Sequence, residues 1–127
     1  MENLTIEPSV KTPKVDFQTA TGILEVEGRS IPENSTEFYR QIFDWLDAYV
    51  ESPSGNTVFN FKLEYFNTSS SKCILDVLRK LEKIHKNGKS VVVKWFYEED
   101  DEDMMEAGEN YQRIVSVPIE LELLEED

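Results

Sequence analysis

The alternation of apolar and polar residues predicts a chain of short strands and amphipathic helices. Residues 14–17 and 23–28 alternate as half-buried strands do, with apolar side chains at every second position. The residues between them end at Gly22, and glycine tolerates the positive φ angle that a tight hairpin turn requires. Residues 1–13 lack this alternation, and we therefore expect an extended lead-in segment without a regular element.

The next segment has the periodicity of a helix. Asn34, followed three residues later by Glu37, is an N-cap signature, and the predicted helix runs to about Val50. An apolar stripe at intervals of three and four residues marks the face that we expect to pack in the core. The stripe consists of Phe38, Ile42, Trp45, Leu46, Tyr49 and Val50.

A longer alternating stretch leads directly into a second helix. The alternation begins near Thr57 and predicts a strand that ends at Tyr65. Residues 69–87 then predict a helix that ends before Gly88, since glycine commonly follows the last turn of a helix. The apolar stripe of this helix consists of Ile74, Leu78, Leu81 and His85.

The last third of the chain predicts two more strands around an acidic segment. The valine run at 91–93 is typical of a central strand buried on both faces, and its place after a strand and a helix predicts a right-handed parallel crossover. Residues 98–110 are predicted to form an acidic loop and a short helix. A final strand over residues 114–123 is expected at a sheet edge, because Pro118 has no N–H group to donate to a neighbouring strand.

Together these elements predict one α/β domain that spans residues 1–127. The order of strands and helices favours a mixed β-sheet with helices packed against it. A chain of 127 residues with 39% hydrophobic content is long enough to bury a single core. Fraying is expected for residues 125–127.

Composition narrows the classes of function. The chain carries 26 acidic and 13 basic residues, and a net charge of −13 disfavours nucleic acid and anionic membrane surfaces as partners. No apolar stretch approaches the roughly 20 residues that span a bilayer, and the first residues lack the pattern of a signal peptide. With one cysteine and no Cys/His cluster, neither a disulfide nor a zinc site is expected, and we predict a cytoplasmic protein without a cofactor.

The junction between the second long strand and its helix carries the clearest functional signal. Thr68, Ser69, Ser70 and Ser71 bring four hydroxyl groups to the predicted N-terminus of a helix. Free backbone N–H groups and the positive end of the helix dipole favour an anion at that place. A phosphorylated hydroxyl would suit this chemistry, and the residue types alone leave open which of the four accepts the phosphate.

Two enzyme-like interpretations use the same region and the acidic segment. Ser69 and Lys72 match the S-x-x-K spacing of serine acyl enzymes, but the companion S-D-N and K-T-G motifs are missing, so a serine-rich helix cap is favoured. The acids at 98–103 offer oxygen ligands for calcium or magnesium, but their consecutive spacing favours a solvated loop or a docking surface. Cys73 and His85 are interpreted as packing or helix-end residues.

Three segments form a set that covers nearly the whole chain. They are GRSIPEN at 28–34 with Phe38 and Tyr39, YFNTSSSK at 65–72, and WFY at 95–97 followed by DEDM at 101–104 and EAGE at 106–109. This set resembles the SiaC-type family of bacterial regulatory phosphoproteins. The resemblance implies a fold like the STAS domains of anti-sigma-factor antagonists, in which a hydroxyl at the start of a helix is reversibly phosphorylated.

The resemblance also implies a phosphorylation switch at Thr68. In the family a dedicated protein kinase adds the phosphate, a metal-dependent protein phosphatase removes it, and the unmodified protein binds and activates a diguanylate cyclase. For this chain it implies a non-enzymatic adaptor in cyclic-di-GMP and biofilm signalling, without a catalytic residue or a metal site of its own. The residues expected to support the site or contact a partner are Arg29, Tyr65, Asn67, Ser69, Ser70, Ser71 and Lys72.

The residues leave two alternatives to this hypothesis. One is a partner-switching protein of the anti-sigma-factor-antagonist type that acts on a different effector. The other is a small hydrolase that uses Ser69 and Lys72. In the switch hypothesis a phosphate adds a charge of about −1.5 to −2, which a partner packed over the site would have to desolvate. We therefore expect phosphorylation to change the binding surface and leave the fold unchanged.

Overall fold

The computed structural model describes residues 1–124, which form one six-stranded sheet and three helices. The predicted α/β class with a mixed sheet and packed helices is confirmed. In chain order the elements are β1 (Leu4–Ile6), β2 (Lys14–Gln18), β3 (Ile23–Ser30), α1 (Ser35–Tyr49), β4 (Asn56–Phe66), α2 (Thr68–Lys86), β5 (Ser90–Tyr97), α3 (Glu102–Ile114) and β6 (Ile119–Leu123).

The six strands lie in the sheet in the same order as in the chain. The pairs β1–β2 and β2–β3 are antiparallel, and the hairpin between β2 and β3 contains Gly22 at a φ of 74°, as predicted. The pairs β3–β4, β4–β5 and β5–β6 are parallel, and each is connected through one helix. Right-handed crossovers that all step in the same direction place the three helices over the same face of the sheet.

The core therefore lies between the helices and one face of the sheet. Phe59, Phe61 and Trp95 are buried on that face, whereas Lys62 on the opposite face is only half-buried. The expectation that the valine run is buried on both faces is wrong. Val91 and Val93 are buried, but the side chain of Val92 points to the open face of the sheet and is half-buried. The run of β-branched residues reflects strand propensity at this position, not burial on two sides.

Helix α1 begins and ends close to the predicted residues. The side chain of Asn34 caps it by accepting a hydrogen bond of 3.1 Å from the backbone N–H of Glu37. Ile42, Leu46 and Tyr49 of the predicted stripe are buried. The stripe lacks two buried residues of this helix, Ser35 and Tyr39. It includes Phe38 and Trp45, which are only half-buried.

Helix α2 starts one residue earlier than predicted and buries a different last residue. Asn67 caps it, so the serines that follow are helical residues and not the cap. His85, expected on the apolar stripe, is exposed in the last turn, and Ile84 is buried in its place. A shift of one residue corresponds to about 100° around a helix, which moves a side chain from the core face to the solvent.

The structure differs from the prediction near both ends of the chain, in the lead-in over residues 1–13 and in the helix that precedes the last strand. The lead-in contains strand β1, which pairs with β2 through the register Leu4 to Phe17 and Ile6 to Val15. Helix α3 is longer than expected and ends at Ile114, so that the last strand starts only at Ile119. That strand lies at the sheet edge, as expected from Pro118. The predicted fraying at 125–127 lies outside the described residues.

Among residues 1–124, no helix has both the length and the apolar character needed to cross a membrane.

Helix α3 packs close to strands β5 and β6 at Gly108. A Cβ atom built on this glycine would lie 2.5 Å from Cδ1 of Trp95 and 2.6 Å from Cδ2 of Leu121. The indole of Trp95 is fully buried, and its Nε1 donates a hydrogen bond of 2.8 Å to the carbonyl of Met104 in the same helix. The ring has little room to move, so only glycine permits this separation of helix and sheet.

Substitution of Gly108 by alanine should therefore destabilise the protein, although alanine has the higher intrinsic helix propensity. We expect Gly108→Ala to lower the free energy of unfolding by about 1–3 kcal/mol, because the added methyl group overpacks the core. Gly55→Ala is the matched control, since nothing lies within 4 Å of the added Cβ there. Urea denaturation of both variants measures the difference. Equal or higher stability of Gly108→Ala would contradict the close packing of α3.

A buried carboxylate connects α2 to the loop before β6. Glu82 is 5% exposed, and its carboxylate accepts hydrogen bonds from the N–H of Ser116 at 2.6 Å and from the Ser116 hydroxyl at 3.1 Å. Arg79 pairs with the other carboxylate oxygen at 3.2 Å. Burial alone would raise the pKa of Glu82, but the hydrogen bonds from Ser116 and Arg79 outweigh burial and lower that pKa.

The lowered pKa of Glu82 predicts a pH-dependent contribution to stability. A group whose pKa is lower in the folded state stabilises fully above its unfolded-state pKa of about 4.3, and its contribution is lost as pH falls through the folded-state value. Glu82→Gln should cost about 1–3 kcal/mol at neutral pH. The difference in the free energy of unfolding between the wild type and Glu82→Gln should shrink below about pH 4. Urea denaturation at several pH values measures it. A difference that grows on acidification would contradict the pairing.

Candidate functional site

The candidate site lies at the edge of the sheet where the parallel strands end. Strand β4 ends at Phe66, and α2 begins at Thr68 with only Asn67 between them. On the neighbouring strand, Ser30 is opposite Phe66, and α1 begins a few residues later at Ser35. The N-termini of α1 and α2 therefore lie side by side, with the four predicted hydroxyl-bearing residues in the first turn of α2.

Asn67 anchors this junction through its backbone and its side chain. Its backbone N–H donates to the carbonyl of Ser30 at 3.0 Å, which extends the contact between β3 and β4 by one residue. Its amide oxygen accepts from the backbone N–H of Ser70 at 2.9 Å and caps the helix. Its amide nitrogen donates to the carbonyl of Pro32 at 3.3 Å. These contacts fix the direction in which α2 leaves the sheet.

A buried network of hydroxyl groups lies beneath the junction. Ser70 is fully buried, and its hydroxyl donates to the carbonyl of Ser30 at 3.0 Å and accepts from the Ser30 hydroxyl at 2.9 Å. The Ser30 hydroxyl also forms a hydrogen bond of 2.8 Å with the phenol of Tyr39 on α1. Burial raises the pKa of Tyr39 to about 12, so the phenol stays neutral and keeps its proton for this network.

The two remaining serines are also engaged in hydrogen bonds. The hydroxyl of Ser69 forms a hydrogen bond of 2.7 Å with that of Ser35 and donates to the amide oxygen of Asn67 at 3.2 Å. The hydroxyl of Ser71 donates to the carbonyl of Thr68 at 2.6 Å. Among residues 1–124, the hydroxyl of Thr68 has no hydrogen-bond partner, and its side chain is exposed. Of the four hydroxyls, that of Thr68 is the one that another molecule can reach without breaking a contact.

The local electrostatics at Thr68 suit an anion. Thr68 is the first residue of α2, where backbone N–H groups lack helical partners and the helix dipole is positive. The first turn of α2 contains no acidic residue, whereas α1 carries Glu37 there and α3 carries Glu102 and Asp103. A phosphate on Thr68 would therefore meet no fixed carboxylate in the first turn of its own helix.

The other predicted site residues are exposed, but they do not all lie on the same side of the sheet. Arg29 and Tyr65 are register partners on β3 and β4, just before the junction, and both are exposed. The ring of Tyr65 is 55% exposed, which is high for so large a side chain. Lys72 is exposed one turn after Thr68. No hydrogen bond within residues 1–124 joins these three side chains to the hydroxyl network. Arg29 and Tyr65 point to the open face of the sheet, because the next register pair, Ser30 and Phe66, faces the core, whereas Lys72 lies on the helix side.

The geometry gives no support to the two enzyme-like interpretations. The hydroxyl of Ser69 is held by Ser35 and Asn67, and no hydrogen bond between Ser69 and Lys72 is found in the described part of the chain. Within residues 1–124, no group of three or more His, Cys, Asp or Glu side chains could hold a metal ion. Part of the acidic segment has a local explanation, because Asp101 caps α3 by accepting from the N–H of Met104 at 3.0 Å.

The sole cysteine lies on the buried side of α2. Cys73 is 6% exposed. Burial, with a smaller contribution from Asp76, raises the pKa of its thiol, so the helix N-terminus does not activate it. The interpretation as a packing residue therefore agrees with its surroundings.

Sequence reasoning did not identify the partners that hold the junction from below. Ser30 and Ser35 contact Ser70 and Ser69 across separations of 40 and 34 residues, and Tyr39 contacts Ser30 from another helix. No local pattern marks such contacts. The one available signal was that Ser30 and Tyr39 lie inside segments that resemble the family.

Comparisons with known proteins agree over nearly the whole chain. Residues 6–124 match the family model described as SiaC family regulatory phosphoprotein. An uncharacterized protein of Pseudomonas aeruginosa strain UCBPP-PA14 is 31% identical over 126 residues, which cover 99% of this chain and all of that protein.

Two solved structures show that the similarity extends to the three-dimensional fold. The crystal structure of apo-SiaC from Pseudomonas aeruginosa superposes with a TM-score of 0.87 and 31% identity, and the match covers 96% of this chain and 99% of SiaC. SiaC in complex with the diguanylate cyclase SiaD, whose activator it is, superposes with a TM-score of 0.89 and 30% identity, covering 95% of this chain and 99% of SiaC.

The three-way anchoring by Asn67 predicts that this residue stabilises the junction. Asn67→Ala should lower the free energy of unfolding by about 1–2 kcal/mol, because it removes the cap of α2 and the contact with Pro32. Asn67→Asp should cost less, since its carboxylate still accepts from the Ser70 N–H and favours the helix dipole. Thermal and urea denaturation measure both variants.

Asn87→Ala at the other end of α2 is the matched control for these variants. Asn87 is exposed, and we expect its substitution to change stability by less than about 0.5 kcal/mol. A loss in Asn67→Ala no larger than that in Asn87→Ala would show that the cap does not hold the junction.

Proposed function

Because this chain belongs to the SiaC family of regulatory phosphoproteins, we propose that it is a signalling adaptor switched by reversible phosphorylation of Thr68. The unphosphorylated form binds and activates a diguanylate cyclase, and thereby controls cyclic-di-GMP production and biofilm formation. A cognate protein kinase adds the phosphate and prevents binding, and a metal-dependent protein phosphatase removes it. The chain acts by binding and not as an enzyme.

The observation that carries the proposal is the state of the Thr68 hydroxyl. It is exposed and unbonded within residues 1–124, whereas the three serines that follow it are engaged. A kinase can therefore bring γ-phosphate to this oxygen without unwinding α2. Phosphorylation at Ser70 would instead require the fully buried contacts with Ser30 to break.

The proposed effector follows from the relative whose complex is known. SiaC of Pseudomonas aeruginosa is the activator of the diguanylate cyclase SiaD, and its structure in that complex superposes with a TM-score of 0.89. A partner that packs over the N-terminus of α2 would bury the acceptor hydroxyl of Thr68 at its interface. The desolvation free energy of a neutral hydroxyl at such an interface is small, whereas that of a phosphate with a charge of about −2 is large.

The same geometry explains why the modification need not disturb the fold. The phosphate projects from the first residue of a helix that is anchored from below by Asn67 and Ser70. Favourable interaction with the helix dipole amounts to about 0.3–1 kcal/mol for an exposed anion. The change is therefore confined to the surface that the partner contacts.

Phosphothreonine installed at position 68 during protein synthesis tests the switch without requiring the kinase. We expect it to weaken binding to a SiaD-type diguanylate cyclase by about tenfold or more, because the partner must desolvate the added charge. Formation of cyclic di-GMP should fall in parallel. Thr68→Ala should bind as the unmodified protein does and should resist phosphorylation. Biolayer interferometry measures binding, and product formation from GTP measures activation.

Phosphothreonine at position 21 is the matched control. Thr21 is exposed in the hairpin between β2 and β3, at the opposite end of the strands from Thr68. The same charge at that place should leave binding within about twofold of the unmodified value. Equal binding by the proteins modified at 68 and 21 would refute the switch. Failure of the unmodified protein to bind the cyclase would refute this effector and favour a different one.

A further inference from the structure

The exposed face of α2 carries a strip of basic side chains in an otherwise acidic protein. Six of the 13 Lys and Arg residues of the chain lie between positions 72 and 89, although the net charge is −13. Four of them recur at intervals of three, four and seven residues, which places them on one face of a helix. The strip consists of Lys72, Asp76, Arg79, Lys83 and Lys86, all of them exposed.

The strip lies on the opposite side of α2 from the core. Buried residues of the helix include Ile74, Leu78 and Leu81, which face the sheet. One flank of the helix is held to α1, where Lys80 pairs with Asp47 at 2.6 Å. The other flank is held to the loop before β6 through Glu82. The part of α2 that remains exposed is its outermost face, which carries the strip and is called the crest below. It is one helix wide.

We propose that this crest is a docking surface for a protein partner that presents an acidic helix. Charge complementarity supplies the argument: Lys72, Lys83 and Lys86 lie in a line that matches a helix with Asp or Glu at three- and four-residue spacing. Arg79 lies between them, but its guanidinium is paired with Glu82. At a rise of 1.5 Å per residue, the distance from Thr68 to Lys86 is about 27 Å, enough to hold about five turns of such a helix. Asp76 in the middle of the strip matches one basic residue of the partner and sets the register.

The width and surroundings of the strip favour an acidic protein over the polyanions that basic patches often bind. A membrane surface or a nucleic-acid duplex presents negative charge over a broad area, which would extend beyond the crest. On the α1 flank, Asp47 is paired with Lys80, so the positive strip does not widen toward that helix. A single helix contacts the crest alone.

The strip is continuous with the proposed phosphorylation site. Thr68 lies four residues before Lys72 and 18 before Lys86, so its side chain projects from the same face of α2 as the cations. An anion at position 68 is placed N-terminal to Lys72 at the i, i+4 spacing, the favourable order for an ion pair on a helix. A phosphate there competes with the partner for Lys72 and adds negative charge to the docking surface. This last step rests on the proposed function.

A fluorescent helical peptide of about 20 residues, with Glu at three- and four-residue spacing and one central Lys, probes the strip directly. Fluorescence anisotropy at about 0.05 M salt should show binding to the unmodified protein, weakened at about 0.5 M. Lys83→Glu with Lys86→Glu should weaken binding by about tenfold or more, because two attractions become repulsions. The matched control is Lys11→Glu with Lys14→Glu, an equal charge change at exposed positions off the strip, expected to stay within about twofold.

The outcomes separate the docking surface from the switch. Absence of peptide binding at low salt, or equal losses in the two double variants, overturns the docking surface. Tighter, strip-dependent binding to a DNA duplex or to phosphatidylserine vesicles overturns the assignment to a protein partner. Phosphothreonine at position 68 should weaken peptide binding more than phosphothreonine at position 21. If these two proteins bind the peptide equally while Lys83 and Lys86 matter, the docking surface stands and its control by phosphate is refuted.

Discussion

The hydrogen bonds of Asn67 are the constraint on which the geometry of the junction depends. A helix that follows a strand after one residue has little freedom of direction, and Asn67 removes most of what remains by binding Pro32 and Ser70 at once. The buried contact between Ser70 and Ser30 then sets the rotation of α2 about its axis. Because rotation decides which side chains reach solvent, the contacts of Asn67 and Ser70 determine that Thr68 is presented outward. The hydroxyl of Thr68, the proposed phosphate acceptor, is thus positioned by the core and not by a flexible loop.

The one-sided sheet explains why α2 presents so narrow a surface. With all three helices on the same face, α2 packs against the strands below, while Lys80 and Glu82 connect its flanks to α1 and to the loop before β6. Only its crest is left exposed, and solvated crests favour charged side chains. Within residues 1–124, no helix lies over the opposite face of the sheet, and ion pairs such as that of Lys62 with Glu25 at 3.0 Å cover part of it. The two sides of the molecule therefore differ in surface charge: the exposed face of α2 carries a row of charged side chains, whereas the open face of the sheet carries ion pairs.

Features set by local chemistry were predictable, and features set by distant contacts were not. The start of α1 followed from Asn34 and Glu37 because a cap acts within one turn. Strand β1 was missed since three residues are stable as a strand only when β2 is beside them. Val92 was predicted to be buried, but it is half-buried. A run of β-branched residues indicates a strand, and it does not indicate whether helices pack on one face of the sheet or on both. For Thr68 the family resemblance gives the prediction, and its hydroxyl, which has no hydrogen-bond partner within residues 1–124, gives an independent physical reason for the same residue.

The three helix N-termini share one edge of the sheet, yet only that of α2 is electrostatically suited to gain a phosphate. Helices α1 and α3 carry their own carboxylates in the first turn, so their dipoles are already compensated. The first turn of α2 has only hydroxyls, and its cap, Asn67, is neutral. A neutral N-terminus can exist in two charge states without a large change in stability, since added charge gains the dipole interaction and meets no acid in the first turn of the same helix. The absence of an acid from the first turn of α2 therefore suits the proposed switch at Thr68, because a carboxylate there would penalise the phosphorylated state.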